Sequence, residues 1–180
     1  MKNILTLGGS NSTSSINKTF AVYVAGQLKE ATVTVADLND YELPLYSSDL
    51  EGKLGIPDAV HAFSALITEA DGIVLSLAEH NGFTTVAFKN LFDWVSRIDQ
   101  NVWKNKPTLL MSTSPGEGGG ANVLRIMKDL MPHFGGKVVA DFSLPSFYDN
   151  FSAEGVKEEM LKLDLEKTIE LFEASLAHSN

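Results

Sequence analysis

The chain contains no cysteine among its 180 residues. Disulfides, thiolate nucleophiles and zinc–sulfur centres are therefore excluded, and a reducing cytoplasm is compatible with the composition. Long hydrophobic runs are missing as well. The first apolar stretch, Ile4-Leu5-Thr6-Leu7, stops at glycine and is too short for a signal peptide or a membrane span. Positive charge is scarce: 14 Lys and Arg face 23 Asp and Glu, a formal net charge of −9. That balance argues against a nucleic-acid partner, which needs a clustered basic surface, and reads as solubility. Repeats, low-complexity tracts and a linker are also missing, so residues 1–180 are expected to form a single domain.

What is present is a 44% apolar content, enough for a sizeable core. Short apolar runs bounded by turn residues recur at Ile4–Leu7, Val33–Val35, Ile73–Leu77, Thr108–Met111 and Val138–Ala140, as buried parallel strands require. Between them lie helix-period stripes: Phe20, Val24 and Leu28; Val123, Met127, Leu130, Met131 and Phe134; Leu161, Leu165, Ile169, Phe172 and Leu176. Pro57 suits the first turn of a helix running to about Glu69, and another helix is expected from near Thr85. Strand–helix alternation of this kind predicts an α/β fold with helices on both faces of a parallel sheet. The longest irregular stretch, Asn39 to Ile56, carries turn signals at Pro44 and Gly55, and loops of that length are usually functional.

In an open α/β sheet, ligands bind beyond the carboxyl ends of the strands. Three loops there are rich in Gly, Ser and Asn. The first runs Gly8-Gly9-Ser10-Asn11-Ser12-Thr13-Ser14-Ser15-Ile16-Asn17 into a helix. Small hydroxyl residues before a helix N-terminus make a phosphate cradle, because hydroxyls, unpaired N–H groups and the helix dipole converge there. The same residues also suit a plain helix cap. The second loop is Ala78-Glu79-His80-Asn81-Gly82-Phe83-Thr84, and the third is Ser112-Thr113-Ser114-Pro115-Gly116-Glu117-Gly118-Gly119-Gly120. Together they offer a phosphate pocket and two walls for a flat ring.

These residues resemble the NADPH-dependent FMN reductase family of flavodoxin-like proteins, which includes quinone, chromate and azo-dye reductases. The family's first loop, Gly-Ser-x-Arg-x-x-Ser-x-Asn, is matched by Gly9, Ser10, Ser15 and Asn17, with Ser12 in place of the arginine. Its Pro-Glu-Tyr-Asn-Gly motif becomes Ala78-Glu79-His80-Asn81-Gly82, followed by Lys89-Asn90-Leu91-Phe92-Asp93-Trp94. Its Ser-x-Gly-x-x-Gly-Gly turn is matched by Ser114, Gly116, Gly119 and Gly120, and Leu43-Pro44-Leu45-Tyr46 fits a stretch common after the second strand.

The resemblance implies a flavodoxin-like three-layer sandwich with a five-stranded parallel sheet in the order 2-1-3-4-5. It implies that Ser10, Ser12, Ser15 and Asn17, with backbone N–H groups around Ile16, hold the phosphate of FMN. Glu79, His80, Asn81 and Gly82 would run along the ribityl chain and ring edge, largely through backbone groups. Ser114, Pro115, Gly116, Gly119 and Gly120 would close over the other side. The implied activity is NAD(P)H oxidoreduction. NADPH or NADH passes hydride to flavin N5, and the reduced flavin serves a quinone, azo compound, metal oxyanion or free flavin. No catalytic side chain is required, and the enzyme is expected to be a homodimer or homotetramer. Two alternatives are a flavodoxin-type electron carrier and a non-enzymatic flavin-binding sensor.

Three departures bear on the site. Ser12 removes a bidentate, permanently charged phosphate clamp; His80 keeps an aromatic ring where the motif has tyrosine; Ala78 frees a backbone N–H. Bland readings stand beside these. Lys89, Asn90, Asp93 and Trp94 fit the two faces of an ordinary helix, although Phe88, Phe92 and Trp94 also suit a subunit contact. His61, His133 and His178 have no metal-ligand spacing, so no metal is expected. Tyr46 and Trp103 are candidates for a wall above the flavin.

Overall fold

The computed structural model describes residues 1–177, so His178 lies outside the described residues. Five strands build the central sheet: β1 (Lys2–Gly8), β2 (Ala31–Ala36), β3 (Gly72–Leu77), β4 (Pro107–Thr113) and β5 (Lys137–Leu144). All four pairings are parallel and the spatial order is β2-β1-β3-β4-β5. This is the flavodoxin-like 2-1-3-4-5 arrangement expected from the sequence, and each expected strand lies inside an observed one. β3 and β4 are buried along their whole length, which is why they read as unbroken apolar runs rather than alternating ones.

Helices α1 (Ile16–Ala25), α2 (Ser48–Leu54), α3 (Asp58–Glu69), α4 (Val86–Ile98), α5 (Ala121–Leu130), the short α6 (Phe147–Asn150) and α7 (Glu159–Ala177) flank the sheet. Alternate side chains of the strands feed two cores. Ile4, Val74, Leu109 and Met111 pack with Phe20 and Val24 of α1 and Phe172 of α7. Leu5, Leu7, Leu75 and Leu110 pack with Phe63 of α3, Trp94 of α4 and Met127 of α5. The two faces follow from the period-2 pleat of the strands meeting period-3.6 stripes on the helices.

Two expectations about local structure change. The stretch from Asn39 to Ile56 is not wholly irregular, because it contains α2. The Ser47 side chain caps Leu50 N at 3.1 Å, Asp49 and Glu51 occupy the first turn, and Gly55 ends the helix at φ 70°. Those are the standard start and stop signals of a short helix. The loop after β3 also has structure of its own: Glu79–His80 pairs antiparallel with Phe83–Thr84. Asn81 and Gly82 turn the hairpin with φ of 53° and 80°, the two positive values that a tight primed turn demands and that Asn-Gly supplies.

At the end of β1 the chain passes very close to α1. A Cβ at Gly8 would sit 2.5 Å from the backbone nitrogen of Lys18, so any side chain there pushes α1 off the sheet. Gly8→Ala is expected to destabilise the protein by about 1–3 kcal/mol. Gly52 in α2 meets nothing within 4 Å, and Gly52→Ala is expected to stabilise by up to about 1 kcal/mol. Urea denaturation of both variants checks the pair, and equal effects would contradict the packing described.

Candidate functional site

The sheet order reverses at β1, which lies between β2 and β3. The loops leaving β1 and β3 diverge there and open a cleft. The first loop is built around its own hydroxyls. Ser12 N–H donates to Ser10 Oγ at 3.1 Å, Ser15 N–H donates to the Ser12 carbonyl at 3.1 Å, and the Ser12 and Ser14 hydroxyls lie 3.4 Å apart. Ser15 caps α1, its Oγ accepting from Lys18 N at 3.1 Å. The cap reading and the cradle reading therefore coincide. One lone pair of Ser15 serves the helix, while the N–H groups of Ile16 and Asn17, at the first two helical positions, have no acceptor within α1.

Asn17 is placed differently from the expectation that its side chain holds phosphate. The residue is 2% exposed. Its Oδ1 accepts from the Ser76 hydroxyl at 2.7 Å and from Thr113 N at 3.0 Å, and its Nδ2 donates to the Thr113 carbonyl at 3.0 Å. The amide is spent on joining α1 to the ends of β3 and β4, so its side chain positions the cradle instead of lining it. Thr85 makes a second tie: its hydroxyl donates to the Gly9 carbonyl at 2.8 Å and accepts from Phe88 N at 3.1 Å, capping α4.

In the second loop, Glu79 is committed to α5. That helix begins at Gly120, which has no side chain to cap it. Glu79 reaches across instead, accepting from Val123 N at 3.0 Å and from Asn122 Nδ2 at 3.4 Å, a favourable place for a carboxylate. His80, Asn81 and Phe83 stay exposed on the hairpin. In the third loop the Ser114 hydroxyl donates locally to the Gly116 carbonyl at 3.1 Å. Gly119 and Gly120 adopt φ of 57° and 76°, and a Cβ on Gly119 would sit 2.4 Å from Ser143 Oγ. Pro115 and Gly116 remain exposed.

Several contributors were not singled out from the sequence. Ser146 N–H donates to the Gly116 carbonyl at 2.9 Å and Phe147 N–H to the Ser114 carbonyl at 3.0 Å, holding the third loop from behind. Residues 37–47 form a strap beside the first loop. At one end Lys18 pairs with Asp37, whose other oxygen accepts from Asn39 N at 3.0 Å. The Lys18 ammonium, with the Asn39 N–H behind it, holds the Asp37 carboxyl below its ordinary value. At the far end, Asn90 accepts from Tyr46 N at 2.9 Å and donates to the Pro44 carbonyl at 3.1 Å, while Trp94 Nε1 donates to that same carbonyl at 2.8 Å. Leu43-Pro44-Leu45-Tyr46 was noticed as a motif; its clamp by Asn90 and Trp94 is a contact between distant parts of the chain.

The aromatic expectations are corrected here. Trp103 is 1% exposed and stacks on Phe88 and Phe92, so it belongs to the core rather than to a wall of the site. Trp94, Phe88 and Phe92 are buried within their own chain. Tyr46 lies edge-on to Trp94 at 5.1 Å and donates its hydroxyl to Glu51 at 2.9 Å. Lys89 and Asp93 form an i,i+4 ion pair at 2.6 Å on the outer side of α4. Among the described residues, no helix is long and apolar enough to cross a membrane, and no group of three or more acidic, His or Cys side chains is placed to hold a metal.

The arrangement is a hydroxyl-lined helix start at the switch point, flanked by two backbone-rich loops, on a flavodoxin-like fold. Residues 2–149 match the model of the NADPH-dependent FMN reductase family, and the chain belongs to that family. NADPH:quinone oxidoreductase of Arabidopsis thaliana is 38% identical over 132 residues, which are 67% of this chain and 65% of that protein. The 2-hydroxy-1,4-benzoquinone reductase of a Burkholderia species is 39% identical over 80 residues, 44% of this chain and 43% of that one. The matched stretches thus span less than two thirds of these curated relatives. The solved structure of FerB, a flavoenzyme NAD(P)H:(acceptor) oxidoreductase from Paracoccus denitrificans, superposes with a TM-score of 0.77 at 25% identity, covering 99% of both chains. Flavodoxin 1 of Bacillus cereus shares the fold at a TM-score of 0.58 and 17% identity, over 100% of this chain and 99% of that one.

FMN is the cofactor of this family, and the donor set fits it. The cradle offers hydroxyls and amides and no carboxylate side chain, and Gly82, Gly116 and Gly118 face open space, where a flat ring system can approach the backbone.

Removing the Asn17 amide strands Ser76 Oγ and both backbone groups of Thr113. Asn17→Ala is expected to lose about 2–3 kcal/mol of stability in chemical denaturation and to retain FMN poorly through loss of loop position. Unchanged stability would contradict the described network. Asp37→Asn is expected to lose about 0.5–1 kcal/mol near neutral pH. The folded carboxyl titrates below its ordinary value of 3.8, so that contribution is complete above this value and vanishes as pH falls through the lowered one. Thermal melts of both proteins should therefore draw together as pH falls below 3.8; a gap that widens under acid would contradict the assignment.

Proposed function

We propose that the chain is an FMN-dependent NAD(P)H oxidoreductase of quinone-reductase type, with residues 1–180 acting as one FMN-binding domain. The observation that carries it is the set of three backbone-rich loops at the carboxyl ends of β1, β3 and β4, the first tied by Asn17 and Thr85, the second by Glu79 to Val123 N–H, and the third by Ser146 N–H to the Gly116 carbonyl. Ser10, Ser12, Ser15 and the N–H groups of Ile16 and Asn17 hold the phosphate. Glu79 to Gly82 present their backbone to one edge of the ring, and Ser114, Pro115, Gly116, Gly119 and Gly120 enclose the other side.

The names of the relatives, NADPH:quinone oxidoreductase and 2-hydroxy-1,4-benzoquinone reductase, support a small-molecule acceptor. When bound, FMN supplies the chemistry, taking hydride at N5 from NADPH or NADH and releasing two electrons to a quinone, azo compound, metal oxyanion or free flavin. The protein's task is to bind, orient and shield. Its loop amides aim fixed dipoles at the ring, and the rigid ties behind them remove the need to reorganise during transfer. Assembly as a homodimer or homotetramer and a cytoplasmic place, where reduced nicotinamide is maintained, belong to the same proposal and rest on the family resemblance.

The test is an anaerobic visible spectrum of the FMN-reconstituted protein before and after NADPH, and then NADH. Bound flavin that bleaches and is reoxidised by added quinone is the expected result. Flavin that stays oxidised with both donors would overturn the reductase reading in favour of a carrier or sensor, and failure to bind FMN would overturn the cradle.

A further inference from the structure

β2 is an outer strand of the sheet, paired on one side only, with β1. Edge strands invite further pairing and are usually blunted by charge, proline or a bulge. The opposite edge, β5, has such protection. It carries Lys137 and Asp141, and its pairing with β4 skips Val139 in passing from Thr108↔Val138 to Leu109↔Ala140. β2 has none of it. Ala31-Thr32-Val33-Thr34-Val35-Ala36 holds no charge and no proline, and its register with β1 runs without a break.

The ladder fixes which groups face outward. Lys2 N–H donates to the Glu30 carbonyl at 2.9 Å, whereas the Asn3 carbonyl turns to the β3 side and accepts from Asp71 N–H at 2.7 Å. Along a parallel pair this alternation turns the backbone of Thr32, Thr34 and Ala36 toward β1 and that of Ala31, Val33 and Val35 away from it. Among the described residues, no hydrogen bond reaches those three outward N–H and carbonyl groups. The side chains of Val33 and Val35 lie on the α1 face, in register with core residue Ile4 and with Thr6, and are 36% and 44% exposed. Helix α1 packs chiefly over β1 and β3, and β2 stays open beside it. Val22 of α1 is 39% exposed and lies one turn after Lys18, which reaches Asp37 just beyond β2, so a third valine borders the same edge.

We propose that the β2 edge docks a second copy of this chain, joined antiparallel about a twofold axis at Val33. The strand complements itself in that register. Val33 faces the partner's Val33 and Ala31 faces the partner's Val35, each pair exchanging its outward N–H and carbonyl groups. On the other face, exposed Thr32 meets the partner's Thr34, a pairing that supports cross-strand hydroxyl bonds. The Lys29-Glu30 turn comes to the end that carries the partner's Asp37 and the partner's Lys18, so opposite charges meet in both directions. A one-residue slip sets valine against threonine and loses the match. Family resemblance implies an oligomer without saying which surfaces meet; the edge names one, and it rests on the sheet alone, independent of the flavin seat.

The test is sedimentation equilibrium of the full chain with FMN at micromolar concentration. Wild type is expected to sediment as an even-numbered oligomer. In Val33→Lys, and equally in Val33→Glu, like charges meet at the axis. Each variant alone is expected to sediment at half the wild-type mass, its dissociation constant raised at least about tenfold. Mixed in equal amounts, the two are expected to regain the wild-type mass, because opposite charges then face one another. That rescue separates a lost contact from a misfolded chain. Monomeric wild type, a variant that keeps the full mass, or a mixture that stays at half mass would overturn the proposal. NADPH bleaching of the flavin in the same samples is read separately. Bleaching without these mass changes overturns the edge and leaves the oxidoreductase reading standing, whereas rescue in a protein whose flavin no donor bleaches keeps the edge and overturns that reading.

Discussion

The side-chain amide of Asn17 is the constraint on which the site depends. It sits in the first turn of α1, yet its partners are Ser76 at the end of β3 and Thr113 at the end of β4. Three segments far apart in sequence are therefore referenced to one planar group. A planar amide with two acceptor directions and a donor on fixed geometry transmits position better than a flexible charged chain would. Burial raises the penalty for leaving any partner unmade, so the network behaves as a unit. Gly8 makes the arrangement possible by letting the backbone of Lys18 descend onto the strand end.

The strap is a second and separate constraint. It spans from the tip of β2 to the N-terminus of α2, and its backbone carbonyls turn inward to Asn90 and Trp94. A stretch without ladder partners must satisfy its polar groups with side chains, and two residues of one helix do that here. The strap thereby inherits the rigidity of α4, which Thr85 in turn fixes to the first loop at Gly9. First loop and strap are thus braced by the same helix.

The fold was legible because its signals are local or periodic. Each strand announces itself as a bounded apolar run, α1, α5 and α7 as apolar stripes, α3 by Pro57 and α4 by its start near Thr85. The hairpin carries its own signal in Asn81-Gly82, and α2 in Ser47 and Gly55, but both lie in polar stretches whose composition is that of a loop. What no local pattern carries is partnership. Asn17 and Thr113 are 96 positions apart, and Asn90 and Pro44 are 46 apart. Both asparagines looked like polar surface residues, one as a ligand and one as a helix face. The aromatics erred the other way. Trp103 fits a wall of the site in sequence and Trp94 a helix face or a subunit contact, because a lone Trp gives no sign of which core it enters; here both fill the α3–α4–α5 side of the sheet.

The distribution of charge gives the two halves of the site different characters. In the first loop, the nearby cation, Lys18, lines the groove with Thr13, Ser14 and Ser15 while its ammonium is engaged by Asp37. In the proposed cradle, phosphate would be met by hydroxyls, first-turn N–H groups and the α1 dipole, all fixed by the fold itself. Preorientation compensates for missing charge, because fixed dipoles need no reorganisation, whereas a free arginine would have to be ordered. The Lys18–Asp37 pair then has a dual consequence. It draws the Lys18 ammonium toward Asp37, so the cation that lines the hydroxyl-rich groove also holds one end of the strap.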